Sequence, residues 1–472
     1  MNVKRATCVF VFGWLLFATN GYAGQSLIAA GALDASGGDR ANQTAKPLEN
    51  GIAGNLFGGI GSGLGHAGGD RFIALPDRGP NGLPYNTCVD NTTSYIPRFH
   101  TLRLRLTPNE GADLPYVVIP SLEETTLMAS ATPLTYGNGL VGCPTLPAGA
   151  PKLNNSHTFY FSGRSDNFGS GISTNANNAR FDPESVRLSR DGKSLFVSDE
   201  YGPYIYQFDR ESGVRTAVFT LPAKFAVDHL APVESAEIGN NSIGRVANKG
   251  MEGLAITPDG STLVGIMQSA LAQDGGDNTG QVLRIVTIDI ESGAVIHEYA
   301  YPTDTDRKYT VSDIVAVNDH VFLVDERDGR GLGDNSDARF KKLFLIDLAG
   351  ATDVSNLAGK TDLAANALTK HLFINVVAEL TKPFGSGGLG LAATQIPAKL
   401  EGIAFGEDVV VDADTKHTLF IANDNDFFPT FNGVANPNQF FVFAFDDQDL
   451  QSAFGDEAHA GLTLEPQDFE KK

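Results

Sequence analysis

A degenerate internal repeat runs through most of this chain and constrains its fold more than any other feature. Each copy has an apolar strand that begins at a polar residue, a short turn, and a second apolar strand that ends in acids and amides. The clearest copies span 184–200, 252–268, 313–327 and 401–426, and a fainter one spans 62–79. Most of the turns carry Asp-Gly or Asn-Asp, which are strong signals for a β-hairpin. Since one hairpin cannot bury its apolar face alone, the copies are expected to pack side by side.

A third apolar strand follows most copies, at 204–209, 282–289, 342–347 and 440–446, and residues 98–106 fit the same place in the first copy. Two of these strands run into a Glu-Ser-Gly turn and a fourth strand. Four antiparallel strands per repeat are typical of a β-propeller blade. The sequence therefore predicts an all-β protein, a six-bladed β-propeller in which the sixth blade lies within 215–250 or is shared between the termini. A β-sandwich or two stacked sheets is the alternative.

Residues 24–472 are predicted to form one domain with two long insertions. Residues 107–180 are rich in Pro, Asn, Ser and Gly, which indicates a lid or long loops. Residues 350–395 predict a short helix between Asp362 and Leu380, followed by a glycine-rich stretch.

The first 23 residues have the features of a secretory signal peptide. Lys4 and Arg5 precede an apolar run over 8–17, and small residues lead up to Ala23, after which cleavage is predicted. An uncleaved membrane anchor is the alternative, for which the apolar run is short. We therefore expect a periplasmic or secreted protein that does not insert into a membrane after cleavage.

The formal net charge of −21 limits the partners of this chain. An acidic surface repels nucleic acid and anionic membranes and attracts cations. We expect a monomer that binds a small molecule and no nucleic acid.

Two cysteines remain beyond the signal segment, Cys88 and Cys143. In an oxidising compartment a disulfide between them is the simplest interpretation, and two free buried thiols are the alternative.

The polar strand ends carry the functional prediction. In a propeller, the innermost strand of every blade starts at the same face of the channel, and the second strand returns to that face. The strand starts are predicted to supply catalytic carboxylates, namely Glu184, Glu252, Asp313 and Glu401. The returning ends are predicted to bind a divalent metal, most simply calcium, through Asp77, Asp199, Glu200, Glu326, Asn423 and Asp424. Nearby cationic and amide groups are predicted to hold an anionic substrate, namely Arg78, Arg327, Lys249, Lys399 and Gln268. The competing interpretation is that these residues only cap strands and close blades.

Several catalytic signatures are missing from the sequence, including Gly-x-Ser-x-Gly, His-Glu-x-x-His and the P-loop. Metal-activated water with carboxylate bases is therefore favoured over a Ser-His-Asp hydrolase. Two other functions stay open. One is a non-catalytic propeller that binds a ligand or a protein, and the other is a propeller oxidoreductase, for which His66 is the candidate base.

Short motifs across the chain resemble those of a known family. They are Leu-Pro-Asp-Arg-Gly-Pro-Asn at 75–81, Asp-Pro-Glu-Ser at 182–185, Val-Ser-Asp-Glu-Tyr-Gly-Pro-Tyr-Ile at 197–205, Lys-Gly-Met-Glu-Gly-Leu-Ala at 249–255, Asp-Glu-Arg-Asp at 325–328, and Lys-Leu-Glu-Gly-Ile-Ala at 399–404 with Asn-Asp-Asn-Asp-Phe at 423–427. Together they resemble the phytase-like, "esterase-like activity of phytase" family of secreted bacterial propellers. The resemblance implies a propeller, export, and hydrolysis of an ester or phosphoester.

Overall fold

The structure is a computed structural model that describes residues 24–137, 146, 149–304, 309–467 and 469. Its regular structure is dominated by five antiparallel sheets of four strands each, arranged as the blades of a β-propeller. The predicted signal segment and Cys143 lie outside the described residues, so signal cleavage and the disulfide stay predictions.

The strands are named here by blade, from the channel outwards. Blade 1 contains β2 (Gly63–His66), β3 (Arg71–Leu75), β4 (Arg98–Pro108) and β5 (Tyr116–Leu127). Blade 2 contains β8 (Pro183–Leu188), β9 (Ser194–Asp199), β10 (Tyr204–Asp209) and β11 (Arg215–Thr220). Blade 3 contains β12 (Met251–Ile256), β13 (Thr262–Met267), β14 (Val282–Asp289) and β15 (Val295–Pro302). Blade 4 contains β16 (Thr310–Ala316), β17 (Val321–Arg327), β18 (Lys341–Asp347) and β19 (Lys370–Asn375). Blade 5 contains β20 (Lys399–Val411), β21 (Asp414–Asp424), β24 (Asn438–Phe445) and β1 (Ser26–Leu33).

Shorter elements decorate the blades. Two small hairpins pair β6 (Ala129–Ser130) with β7 (Phe159–Tyr160) and β22 (Thr430–Phe431) with β23 (Val434–Ala435). The α-helices are α1 (Glu234–Asn240), α2 (Gly276–Thr279), α3 (Lys360–Ala365), α4 (Val376–Thr381) and α5 (Asp447–Phe454). Among the described residues, no helix combines the length and apolar character that crossing a bilayer requires.

The prediction of six blades is wrong, because five blades already close the ring. Each innermost strand contacts the innermost strands of both neighbouring blades, and β2 of blade 1 meets β20 of blade 5. Closure does use both ends of the chain: β1 pairs with β24 as the outer strand of blade 5. The 215–250 segment holds β11 and α1 rather than a sixth blade.

Glycines let the innermost strands approach closely around the axis. A Cβ atom on Gly253 would lie 2.9 Å from the Cα of Asp313 in the next blade. A Cβ atom on Gly402 would lie 2.8 Å from the backbone nitrogen of Leu64 in blade 1. The repeated Glu-Gly pair is therefore explained by packing: the glycine allows contact between blades, and the residue before it faces the channel mouth.

Apolar side chains from facing blades form the core. Between blades 1 and 2, for example, Ile73 and Leu75 pack with Val186, Val197 and Tyr206, all of which are buried. Equivalent apolar clusters fill the space between other pairs of neighbouring blades. This layered core holds the strand ends at fixed positions and so fixes the geometry of the mouth.

The two insertions have structure of their own. The 107–180 segment contains the end of β4, then β5, β6 and β7, and its last part lies over the face where the innermost strands begin. There Gly163 packs so closely on Arg78 that a Cβ atom on Gly163 would clash with the backbone carbonyl oxygen of Arg78. The 350–395 segment holds α3, β19 and α4, so the predicted single helix is two short helices separated by a strand.

Candidate functional site

Irregular strand pairing shapes the channel mouth. In four innermost strands an extra residue interrupts the ladder near its start: between Pro183 and Val186, Met251 and Gly253, Val311 and Asp313, and Leu400 and Ile403. Such bulges re-aim side chains and are common beside functional sites. The bulges carry Glu184, Glu252, Ser312 and Glu401, and Ser62 occupies the corresponding place before β2. We call these five buried residues the axial ring.

Asp313 does not belong to this ring, although the repeat aligned it with Glu184. The bulge places Ser312 at the mouth and turns Asp313 into the channel. There Asp313 accepts hydrogen bonds from Ser185 Oγ (2.8 Å) and from Arg187 Nη2, which lies 3.0 Å from each carboxylate oxygen. Arg187 also donates to the carbonyl groups of Leu64 and Ile314. This ion pair joins several blades and is a structural element of the channel.

Three carboxylates meet at one side of the mouth, and we call Asp182, Glu184 and Glu200 the acid triad. Each offers an oxygen atom within 4.8 Å of the others, and all three residues are buried. An acidic triad of this kind could hold a metal ion, because hard carboxylate oxygens are the ligands that Ca²⁺ prefers.

Arg78 lies against the acid triad. Its guanidinium forms an ion pair with Asp182 and contacts the side-chain oxygen of Asn248, and it lies 3.9 Å from Glu200. Its Nε atom is buried and has no hydrogen-bond partner among the described residues. One donor of this guanidinium is therefore available to another acceptor.

The remaining predicted cations lie around the same mouth. Arg327 donates from Nε to Ser312 Oγ (2.7 Å) and forms an ion pair with Glu401. Lys399 bridges Asp424 (2.7 Å) and Asp426 (2.6 Å). Lys249 donates to Gln268 (3.1 Å) at the edge of blade 3.

Burial and mutual repulsion raise the pKa values of the mouth carboxyls. Burial, with repulsion from Asp182, raises the pKa of Asp77 and of Glu200 to about 7. Burial also raises the pKa of Glu184, and repulsion from Glu252 adds to this shift. The pKa of Glu252 is raised by burial and then by repulsion from Glu200 and Glu401. At neutral pH the mouth therefore retains protons or requires a cation.

Three predicted metal ligands have other roles in the structure. Asp199 accepts backbone N–H groups of Asp182, Tyr201 and Gly202, so it holds the turn after β9. The Glu326 carboxylate faces away from the mouth, where it pairs with Lys370 and Tyr301. Asn423 bonds to the backbone of Gln439 and Pro437 and closes blade 5.

Sequence reasoning missed Asp182, Ser62, Ser312 and Asn248 as mouth residues. Asp182 stands inside the Asp-Pro-Glu motif and could have been found there. Ser312 was hidden because a bulge shifts the register by one residue, which sequence periodicity does not reveal. Asn248 has a φ of 56° and lies in a loop, and nothing in the repeat pointed to it.

His66 lies at the opposite end of the channel. It ends β2 and borders a cavity of about 400 Å³ that is also lined by Arg187, Glu407, His417 and residues 464–467 and 469. Its Nε2 bonds to the Gly69 carbonyl (2.9 Å). His66 therefore does not lie at the acidic mouth, where the oxidoreductase alternative required a base.

A buried ion network anchors helix α1 beside the mouth. Glu237 pairs with Arg245 (2.6 Å) and Arg180 (3.2 Å), and Arg245 also donates to the carbonyl of Tyr201 (2.7 Å). The ring of Tyr201 lies between the mouth and this network, with the Arg78 and Arg180 guanidinium carbons 5.9 and 4.9 Å from its centre.

This network predicts a specific pH dependence of stability. Burial alone would raise the pKa of Glu237, but Arg245 and Arg180 outweigh it and hold the pKa at about 2 instead of 4.5. A lowered folded-state pKa stabilises the fold above pH 4.5, and that contribution is lost as the pH falls towards 2. Glu237→Gln is expected to lower the free energy of unfolding at pH 7 by about 3 kcal/mol. Urea titrations at pH 7 and pH 3 check this.

The matched control is Glu211→Gln, an exposed acid in the turn after β10, which should leave the unfolding curve nearly unchanged. An equal loss of stability at pH 7 and pH 3 in Glu237→Gln would show that the ion pairs do not cause the effect.

Comparison with known proteins places this geometry in a family. The profile described as "Phytase-like: Esterase-like activity of phytase" matches residues 55–427, which include the acid triad and all five strands that line the channel. The chain belongs to the phytase-like family. The motif resemblance noted in the sequence is therefore confirmed.

Other similarities are more distant. An "Uncharacterized secreted protein" of Arthroderma benhamiae is 32% identical over 230 residues, which cover 43% of this chain and only 40% of the relative's length. Hydrazine synthase of Kuenenia stuttgartiensis is 9% identical with a TM-score of 0.30 over 78% of each chain. The β-propeller domain of Cps50 (Swd1) from Myceliophteria thermophila is 10% identical with a TM-score of 0.22, over 51% of this chain and 63% of that one. Scores this low carry no argument about function.

Proposed function

We propose that this phytase-like protein hydrolyses phosphoesters at the acidic mouth of its channel, with a divalent cation, calcium, bound by the acid triad. The observation that carries the proposal is the triad itself, three buried carboxylates with oxygens within 4.8 Å of one another beside Arg78. Family membership supports a hydrolase-like role.

The residues of the mouth fit a cation of this kind. The Oε2 atom of Glu252 beside the triad is buried and has no hydrogen-bond partner among the described residues. Buried carboxylate oxygens without partners are costly unless a cation or a proton compensates them. When bound, the cation would act as a Lewis acid towards a phosphoryl oxygen.

Arg78 is assigned to the phosphoryl group of the substrate. Its unpartnered Nε and its place beside the triad would hold an anionic oxygen through charge-assisted hydrogen bonds. Lys399 and Lys249, which are partly exposed at the rim, would attract the anion to an otherwise acidic surface.

Asp77 is assigned the role of general base. It is partly exposed next to Arg78, and its pKa of about 7 suits proton transfer at neutral pH. Asp77 would take a proton from a water molecule as that water attacks phosphorus. The phosphorus–oxygen ester bond breaks, and the alcohol leaves with a proton from solvent.

Export is part of the proposal. The basic and apolar start of the sequence, together with the name of the relative from Arthroderma benhamiae, an "Uncharacterized secreted protein", supports a periplasmic or secreted location for this chain.

A non-catalytic cation- or ligand-binding propeller is the second candidate. It is favoured by the burial of the acid triad, since the space beside Arg78 is a cavity of only about 40 Å³. A binding propeller needs no access for a large substrate, whereas a phosphoesterase must admit at least a phosphoryl group.

Hydrolysis assays separate these candidates. Purified protein is incubated with p-nitrophenyl phosphate and p-nitrophenyl acetate, with calcium and with a chelator. We expect turnover of the phosphate that falls roughly 100-fold or more with chelator, since a bound cation is worth several kcal/mol in the transition state. Turnover of the acetate alone would reassign the substrate to carboxylic esters. Absence of turnover of either substrate by folded, calcium-loaded protein would reject catalysis and leave the binding propeller.

A further inference from the structure

The turn directly before β12 reaches two groups of the mouth. The backbone N–H of Gly250 donates to Glu200 of the acid triad (3.2 Å). Two residues earlier, the side-chain oxygen of Asn248 accepts a hydrogen bond from the Arg78 guanidinium. Arg78 follows β3 and Glu200 follows β9, so this one turn of blade 3 contacts the mouth residues of blades 1 and 2.

The backbone of Asn248 restricts which residues fit there. Its φ of 56° lies in the left-handed region, which asparagine, aspartate and glycine adopt far more readily than other residues. Glycine meets this requirement at least as well as asparagine. Asn248→Gly therefore removes the amide side chain without straining the turn.

The contact with Arg78 fixes the orientation of the Asn248 amide. A guanidinium group has only donors, so the amide atom that it contacts is the oxygen. The other end of the amide, Nδ2, carries two N–H donors. Among the described residues, Nδ2 has no hydrogen-bond partner. The same is true of the buried Nε atom of Arg78.

These two side chains line one small cavity. Its volume is about 40 Å³, and Tyr201, Thr92 and Ser165 form other parts of its wall. A buried water molecule needs roughly 10 to 15 Å³ of such space. The cavity thus has room for about three oxygen atoms, which is the number of unsubstituted oxygens on a terminal phosphoryl group.

Acidic residues also line this cavity, but they do not cancel its donors. Glu237 is paired with both Arg180 and Arg245. Glu234 is exposed and Asp90 is partly exposed, so water and salt screen their charges. An anionic oxygen in the cavity would therefore meet the unpartnered donors of Arg78 and Asn248.

We propose that Asn248 is a further substrate-binding residue, whose amide donates a hydrogen bond to an oxygen of the phosphoryl group held by Arg78. The inference rests on the proposed function for the identity of the anion. The oxygen end of the amide orients the guanidinium while the nitrogen end binds the anion. A fixed donor of this kind stabilises the charge that develops on phosphoryl oxygens in the transition state.

Calorimetric titration with inorganic phosphate tests the proposal without requiring turnover. The full chain is loaded with calcium and freed from excess calcium before the titration. Asn248→Gly is expected to weaken phosphate binding about 10- to 100-fold, the effect of losing one hydrogen bond to a charged group. The matched control is Asn432→Gly, which removes an exposed asparagine with a φ of 49° from the turn between β22 and β23 and should leave phosphate affinity unchanged.

Asn248→Asp separates contact with the anion from orientation of Arg78, and it also serves if Asn248→Gly fails to fold. Aspartate suits the left-handed backbone and keeps an acceptor for Arg78, but it has no N–H groups. We expect Asn248→Asp to bind phosphate at least 10-fold more weakly than the unmodified protein. Unchanged affinity in Asn248→Asp would overturn the proposal, because Asn248 would then only orient Arg78.

The remaining outcomes distinguish this inference from the proposed function. Unchanged phosphate affinity in folded Asn248→Gly would overturn the inference alone. If the unmodified, calcium-loaded protein binds no phosphate, the inference and the phosphoester assignment both fail. Phosphate binding that both variants weaken, with no hydrolysis of p-nitrophenyl phosphate, would support the inference and reject only the proposed reaction.

Discussion

Asp313→Ala is expected to destabilise the protein by about 3 to 5 kcal/mol, because it leaves the Arg187 guanidinium buried in the channel without a counter-ion. Asp313 and Arg187 are 0% and 5% exposed, so water cannot replace the lost partner. The pair also links strands: Asp313 accepts the backbone N–H of Ile403 (3.1 Å), and Arg187 donates to Leu64 (2.8 Å). Urea unfolding followed by circular dichroism measures the change.

Two controls separate an unpaired charge from a simple loss of packing. The double variant Arg187→Met with Asp313→Leu removes both charges and should be less destabilised than Asp313→Ala. Glu123→Ala breaks surface pairs with Arg71 and Arg103 and should cost about 1 kcal/mol or less. If Asp313→Ala is no more costly than Glu123→Ala, the channel ion pair does not hold the blades together.

Asp77→Asn is expected to lower kcat/KM for the phosphoester by about 10²- to 10⁴-fold, the usual contribution of a general base. The base must be deprotonated, so the activity of the unmodified protein should rise with pH and then level off, and the pKa of about 7 without a cation is the upper limit for this limb. A cation on the adjacent acid triad favours the deprotonated form and should move this limb to lower pH. In Asp77→Asn the limb should disappear. Initial rates from pH 5 to 9 test both statements.

Glu326→Gln is the matched control for this experiment. Glu326 is also a buried acid at the end of a second strand, but it pairs with Lys370 and Tyr301 away from the mouth. The variant is expected to lose stability and to keep the kcat/KM and pH profile of its folded fraction. An unchanged pH limb in Asp77→Asn would remove Asp77 from the proposed mechanism.

The repeat made the blades predictable because its evidence is local. Asp-Gly turns and apolar runs fix hairpins such as β12 with β13, and the third strands follow within a few residues. The number of blades is a different kind of quantity. It depends on the angle between neighbouring sheets and on the pairing of β1 with β24, two segments separated by most of the chain. That pairing placed the last strand in blade 5 and left no sixth blade.

The sequence predicted which strand ends form the site, but not which side chain at each end faces it. Glu184, Glu252 and Glu401 were found because the repeat aligns them, and Arg78 and Lys399 were found because they stand next to the acids. The sequence did not predict that Ser312, and not Asp313, faces the mouth, because one extra residue in a strand reverses which side chain faces it. Glu326 shows the same limit: its neighbour Asp325 precedes it on the other face of β17, and only packing decides which face is the mouth.

The sequence by itself determined the strand pattern, the acidic character and the set of polar strand ends, because these depend on neighbouring residues and on composition. The tertiary structure alone decided how many blades close the ring, which carboxylates share a site, and which are neutralised by Arg187, Lys370 or backbone N–H groups. The physical reason is that a carboxylate's role depends on charges and donors within a few ångströms of it. In this propeller some of those groups come from other blades, as Arg187 does for Asp313, 126 residues away along the chain.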